Sequence, residues 1–202
     1  MPSGVLRASA TAVALLATGC ATASLPPPAS TVERARGAAS YSASLRVSLK
    51  GPALRARARA LVAFARPGSL RLEIPGPTGL RLVAVVRDGA LAAVFPGERA
   101  VYRGSATAAD LEALLGVALS PAEVMDLLVG APSPRLRSYR AVWGSSLPSR
   151  IEATLPDGAH LVVAVEDAET GVALDPAAFA EPPHAGYRAV EPSEARGLWG
   201  AR

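Results

Sequence analysis

One cysteine, two histidines and a scatter of carboxylates are the groups in this 202-residue chain that could do covalent or metal chemistry. Their spacing points away from it. No Cys or His pair stands at a zinc-ligand spacing. His160 lies at a strand start beside a turn, and His184 sits in "EPPHAGY", a loop. "GSSLP" at 144–148 is not the Gly-x-Ser-x-Gly of a nucleophile elbow, and no phosphate-binding glycine loop is present. The carboxylates read as solvated strand faces, helix caps or turns. No set of residues meets the geometric roles that catalysis needs. The expectation is a protein that is not an enzyme and uses no cofactor and no metal. A single cysteine also excludes a disulfide framework, which needs an even number.

The surroundings of Cys20 suggest another use for its thiol. "MPSGVLR" is short and basic, and Ala8 to Gly19 is an uncharged apolar run followed by small residues. That is the layout of a secretory signal. A spanning helix needs about 20 apolar residues, so this run is too short to be one. An ordinary signal with an incidental cysteine is one reading. The other comes from Leu16-Ala17-Thr18-Gly19-Cys20, which resembles the lipobox of bacterial lipoproteins, with Ala17 where leucine is commonest. The resemblance implies a diacylglyceryl group on the Cys20 thiol, cleavage before it and acylation of the new amino terminus. Two or more acyl chains anchor a protein stably at ~0.8 kcal/mol per buried CH₂. Ala21, in place of an aspartate, resembles an outer-membrane address, which implies a lipid anchor on the periplasmic face of that membrane.

The resulting layout is a cleaved signal over 1–19, a lipidated proline-rich tether over 20–38 and one domain over 39–202. Three consecutive prolines, 26–28, favour an extended, semi-rigid spacer, and "VERARGAAS" adds a short helical turn before the first strand. The formal net charge is +4, but the arginines are spread along the chain rather than clustered with aromatics. No nucleic-acid footprint results. One lysine, no Asn, no Gln and an excess of Ala and Arg read as codon bias of a GC-rich genome. The chain is expected to be a monomer.

From residue 39 the hydrophobic period is two. Tyr41, Ala43, Leu45, Val47 and Leu49 alternate with Ser42, Ser44, Arg46, Ser48 and Lys50. Leu54, Ala56, Ala58, Ala60, Val62 and Phe64 share one face, and Arg55, Arg57 and Arg59 share the other. Further strands are expected over 70–74, 80–87, 90–95 and 100–103, with Asp88-Gly89 as a hairpin turn. Then the period changes. Thr107 caps a helix closed by Gly116. Ser120-Pro121-Ala122-Glu123 starts another that ends at Gly130. Strands resume at 135–143, 149–155 and 160–167, a last edge strand is expected over Leu174 to Phe179, and "EPSEARGLWG" suggests a terminal helix. The fold class expected is α+β: an unclosed antiparallel sheet of about nine to eleven strands with a helical insertion over 107–130.

A long twisted sheet with one apolar face must bury it. Two packings satisfy the pattern: a compact Ala-lined core, or a sparsely filled apolar cavity under the two helices. Alternation nominates Leu45, Val47, Ala58, Val62, Leu72, Leu82, Ala84, Leu114 and Leu127 as cavity lining, with ordinary core packing as the other reading of each. Trp143 and Trp199 line a mouth or fill the core.

The run from Arg71 to Pro132 carries Gly76-Pro77-Thr78-Gly79 after a strand, Tyr102 before an acidic helix, Asp110 to Gly116, and a Pro-led helix from Pro121 to Pro132. In order and spacing it resembles the outer-membrane lipoprotein receptor and insertase family LolB, of the LolA/LolB superfamily. The resemblance implies an unclosed barrel with a helical lid, whose cavity holds acyl chains of lipoproteins or other lipid. It further implies delivery by a periplasmic LolA-like carrier and insertion of the cargo into the outer membrane. That family carries an exposed leucine in a membrane-facing loop. The matching loop here is Pro77, Thr78 and Gly79, with Thr78 at the leucine position and Leu80 in the strand pattern. The alternative is a lipid-anchored envelope scaffold on the same fold with no lipid cargo.

Overall fold

The computed structural model describes residues 27–52 and 54–200. The signal, the lipobox and Cys20 lie outside them. Helix α1 (Ala29–Arg36) precedes β1 (Ser40–Lys50), β2 (Arg55–Ala65), β3 (Ser69–Gly76), β4 (Gly79–Arg87), β5 (Ala90–Phe95) and β6 (Ala100–Ser105). Helices α2 (Ala108–Leu115) and α3 (Pro121–Leu128) follow, then β7 (Ser138–Trp143), β8 (Pro148–Thr154), β9 (His160–Thr170), β10 (Arg188–Ala189) and α4 (Pro192–Trp199). The strands form one ten-stranded sheet in the order β10-β6-β5-β4-β3-β2-β1-β9-β8-β7. Its two edges do not meet, so the curled sheet is an unclosed barrel of the α+β class. Among the described residues no helix is long and apolar enough to cross a membrane.

The period-two pattern explains the sheet. On β1, Tyr41, Ala43, Leu45, Val47 and Leu49 all face the main core, and their register partners on β2, Phe64, Val62, Ala60, Ala58 and Ala56, are apolar too. Pairing like with like across an antiparallel ladder buries one face and leaves the arginines of β2 in water. Tyr41 stacks on Phe64 with ring centroids 5.2 Å apart. The Tyr41 hydroxyl is buried and has no hydrogen-bond partner among the described residues, and burial pushes its pKa up. An unpaired buried hydroxyl costs about 1–3 kcal/mol. Tyr41→Phe is therefore expected to raise the melting temperature by about 2–12 °C, read by thermal unfolding. A lowered midpoint would mean that the hydroxyl is satisfied.

The insertion forms two helices with the expected caps. The Thr107 hydroxyl accepts from the Asp110 amide at 3.1 Å, and Gly116 ends α2 in the left-handed region. Ser120 and Glu123 form a full capping box, with Pro121 in the first turn of α3. These helices cover the concave face.

Two expectations at the carboxyl end are corrected. Leu174 to Phe179 is not an edge strand. Asp175 accepts from the Ala177 amide at 2.8 Å and Pro176 opens a single 3-10 turn over Pro176–Phe179, a local bond that competes with strand pairing. This segment crosses the outer face of the sheet. Phe179 is buried there against β3 and β4, and the Arg71 guanidinium donates to the Ala178 and Ala180 carbonyls at 2.9 and 3.3 Å. The chain then adds β10 parallel to β6, so the sheet is mixed rather than wholly antiparallel. Alternation within β4 to β6 had room for this crossing: Val83, Val85, Val94 and Val101 face outward and are buried.

Candidate functional site

Between the concave face and the lid helices lies an apolar cavity of about 120 Å³. Leu45 and Val47 of β1, Val62 of β2, Leu72 of β3, Ala84 of β4 and Leu161 and Val163 of β9 form its floor. Leu111 and Leu115 of α2 and Val124, Leu127 and Leu128 of α3 form its roof, with Val117 from the linker. A second chamber of about 70 Å³ shares Val47, Leu72, Leu115, Val117 and Leu161 and extends toward Ala56, Ala58 and Ala60 of β2, Ile74 of β3 and Trp199 of α4. Every lining side chain of both chambers is apolar. The one side-chain donor among them, the Trp199 indole N–H, is taken up by the Leu114 carbonyl, so the site is suited to apolar matter.

Its size limits what it holds as it stands. Apolar cavities near this volume hold a benzene-sized group and stay dry. A full acyl chain needs the roof to lift or the wall to part. The roof is tied down at identifiable points. The Tyr102 hydroxyl donates to Asp110 of α2 at 2.9 Å. Burial and then this carboxylate push the Tyr102 pKa up to about 12, so the hydroxyl keeps its proton at neutral pH. At the other end of α2, Arg196 and Trp199 of α4 donate to the carbonyls of Ala113 and Leu114 at 2.7 and 2.8 Å. Helix α3 is held by the Arg66–Asp126 ion pair at 2.6 Å and by Arg36 of α1, which donates to the Gly130 carbonyl at 3.2 and 3.3 Å. The helix ahead of β1 thus lies on the body, with Ala35 buried.

A larger hollow of about 440 Å³ lies on the opposite face. Ser42, Ser44, Leu61 and Ala63 floor it, and the Arg71–Glu73 pair, Asp167 and Glu169 flank it. It is open and polar-rimmed, so it shields apolar matter far less than the lid cavity does.

Of the nine residues nominated by alternation, Leu45, Val47, Val62, Leu72, Ala84 and Leu127 line the main chamber and Ala58 the second. Leu82 and Leu114 line neither. Both are fully buried and fill the core, because alternation gives a side chain's face but not its distance from a void. The same alternation reaches Leu70, Val86, Leu91 and Val163, which also line the main chamber. Val117 sits between two helices, where no period marks it. Trp199 closes the second chamber, whereas Trp143 packs on Gly130 and lines neither. Pro77, Thr78 and Gly79 form the exposed tip of the β3–β4 hairpin. Leu80 belongs to β4 as expected, yet it is 38% exposed. A bulge after Ile74 pairs it with Pro75 and breaks the alternation with Leu82. His160 starts β9, and His184 sits in the outer crossing beside Glu181.

No protein-family model matches the chain, and no curated protein matches it. Solved structures similar in shape include an uncharacterized conserved protein from Thermus thermophilus, at 12% identity and TM-score 0.45 over 80% of this chain and 94% of that one. A DUF1329 family protein from Desulfovibrio piger is similar at 9% identity and TM-score 0.46, over 74% of this chain and 92% of that one. A LolA superfamily protein from Nitrosomonas europaea is similar at 12% identity and TM-score 0.46, over 78% and 99%.

Proposed function

We propose that this chain is a non-catalytic, lipid-anchored protein of the outer membrane. It binds acyl chains of lipoproteins beneath its helical lid and helps place them in that membrane. The all-apolar cavity between the curled sheet and two tied helices carries the reading. An acyl chain exposed to water costs ~0.8 kcal/mol per CH₂, so moving one through an aqueous compartment requires a pocket of this lining. The tail of a lipoprotein enters when α2 and α3 lift, and the exposed Leu80 beside the hairpin tip offers an apolar contact for a bilayer. A periplasmic carrier of the LolA type is the proposed donor. Cys20, Ala21 and the sequence around them support the anchor and its address.

The test is native mass spectrometry with lipid extraction on the full-length chain carrying Cys20→Ala, which removes the anchor. Acyl lipid is expected to co-purify, and an added triacylated lipopeptide is expected to bind. Val62→Trp with Ala84→Trp fills the main chamber from two strands and is expected to reduce bound lipid by about tenfold or more, the loss of over about 1.4 kcal/mol. Lipid-free protein that takes up no lipopeptide would overturn the carrier reading and leave an anchored scaffold.

A further inference from the structure

Strand β2 begins Arg55-Ala56-Arg57-Ala58-Arg59-Ala60. The alanines line the second chamber. The arginines stand on the outer face, all exposed. The register with β1 sets Arg59 opposite Arg46, Arg57 opposite Ser48 and Arg55 opposite Lys50. Like charges directly opposite on one face disfavour the sheet unless a counter-charge joins them. Arg46 has one, Glu166. Among the described residues Lys50, Arg55, Arg57 and Arg59 form no ion pair.

The same segment marks a split in the sheet. Strand β2 is in register with β3 only over Leu61–Ala65 against Ser69–Glu73. Beyond Leu61, β2 stays with β1 while β3 follows β4 through Ile74, Pro75 and Gly76. The two strands part beyond Leu61 and Glu73, where Ala56, Ala58 and Ala60 on one side and Ile74 on the other line the second chamber. A row of cations therefore stands beside the parting strands, at the end of the sheet that carries the β3–β4 hairpin tip.

We infer that this split is a portal for an anionic amphiphile. Its phosphate headgroup sits on Arg57 and Arg59, with Arg55 and Lys50 beside them, while its acyl chain passes between β2 and β3 into the second chamber. Guanidinium groups suit this role because they bind phosphate oxygens in a bidentate fork. The inference rests on the acyl-binding reading and adds a substrate class to it: single lipids with a phosphate headgroup, preferred over neutral ones.

Calorimetric titration of the full-length chain carrying Cys20→Ala tests this. The probes are 1-palmitoyl glycerol 3-phosphate, 1-palmitoyl glycerol and inorganic phosphate, each lipid below its micelle concentration. The phosphate lipid is expected to bind about tenfold or more tighter than the neutral one, with a preference that shrinks as salt rises. Arg57→Ser with Arg59→Ser, both exposed, is expected to abolish the preference, so that the phosphate lipid binds no tighter than the neutral one. Arg87→Ser, in the hairpin beside Asp88, is expected to change neither. Equal affinity for both lipids in the unmodified β2 overturns the portal and leaves the acyl cavity standing. Failure of both lipids to bind overturns both readings. Inorganic phosphate binding as tightly as the lipid shows a bare anion site and overturns the portal. So does phosphate-lipid binding that survives Ala58→Trp in the second chamber.

Discussion

Gly130→Ala is expected to lower stability by about 2–4 kcal/mol and the melting temperature by roughly 5–15 °C. Two effects add. Gly130 has φ near +79°, where a Cβ meets the neighbouring carbonyl at a cost of about 1–2 kcal/mol. A Cβ there would also lie 2.5 Å and 2.8 Å from two carbons of the Trp143 ring. A rigid indole in a packed site yields only by shifting the strand that carries it. The residue joins three elements: it follows α3, it packs on Trp143 of β7, and its carbonyl receives Arg36 of α1. Gly89→Ala is the matched control. It has φ near +77° and open space around it, so only the backbone term applies. Equal losses in the two variants, measured by chemical denaturation, would refute the Trp143 contact as the cause.

Glu123→Ala is expected to cost about 2–3 kcal/mol. The Glu123 carboxylate accepts from the Ser120 amide at 2.8 Å and from the Ser120 hydroxyl at 2.9 Å, and it receives the Ser133 hydroxyl and Arg135. Ser133 is itself buried, so truncation strands a donor as well as a cap. Burial alone would push the Glu123 pKa up. The hydrogen bonds from Ser133 and Ser120, with the Arg135 charge, outweigh it and hold the pKa below the ordinary carboxylate value. The sign then follows. A group whose folded pKa is depressed contributes stability that is fully present above its unfolded value, about 4.3. That stability is lost as the pH falls through the lower folded value. Unfolding free energies between pH 7 and pH 3 should therefore fall in acid, and should fall less steeply for Glu123→Gln. Parallel profiles for the two proteins would show that Glu123 is not the titrating group. Because α3 roofs the cavity, the same variant is expected to loosen the lid.

Much of this architecture was legible because its causes are local. Strict alternation over 41–49 and 55–60 dictates a sheet with one apolar face. Thr107-x-x-Asp110 and Ser120-Pro121-x-Glu123 dictate two helix starts, since caps act within one turn. The seven nominated residues that do line the chambers were found the same way. What alternation could not give is how far a wall stands from its neighbour, so Leu82 and Leu114 were indistinguishable from Val62 and Ala84 in the sequence. Leu174 to Phe179 misled because Asp175-Pro176 makes its own turn, and the valines that await this crossing lie far earlier in the chain, at 83, 85, 94 and 101. The exposure of Leu80 depends on a bulge between two strands. The split between β2 and β3 depends on two strands choosing different partners. Sequence alone determined the faces, the caps and the apolar character of the interior, because each arises from neighbours within a few residues. Only tertiary structure decided where the sheet parts, where the void remains and which cations stand beside it, because these follow from register and packing between segments far apart in the chain.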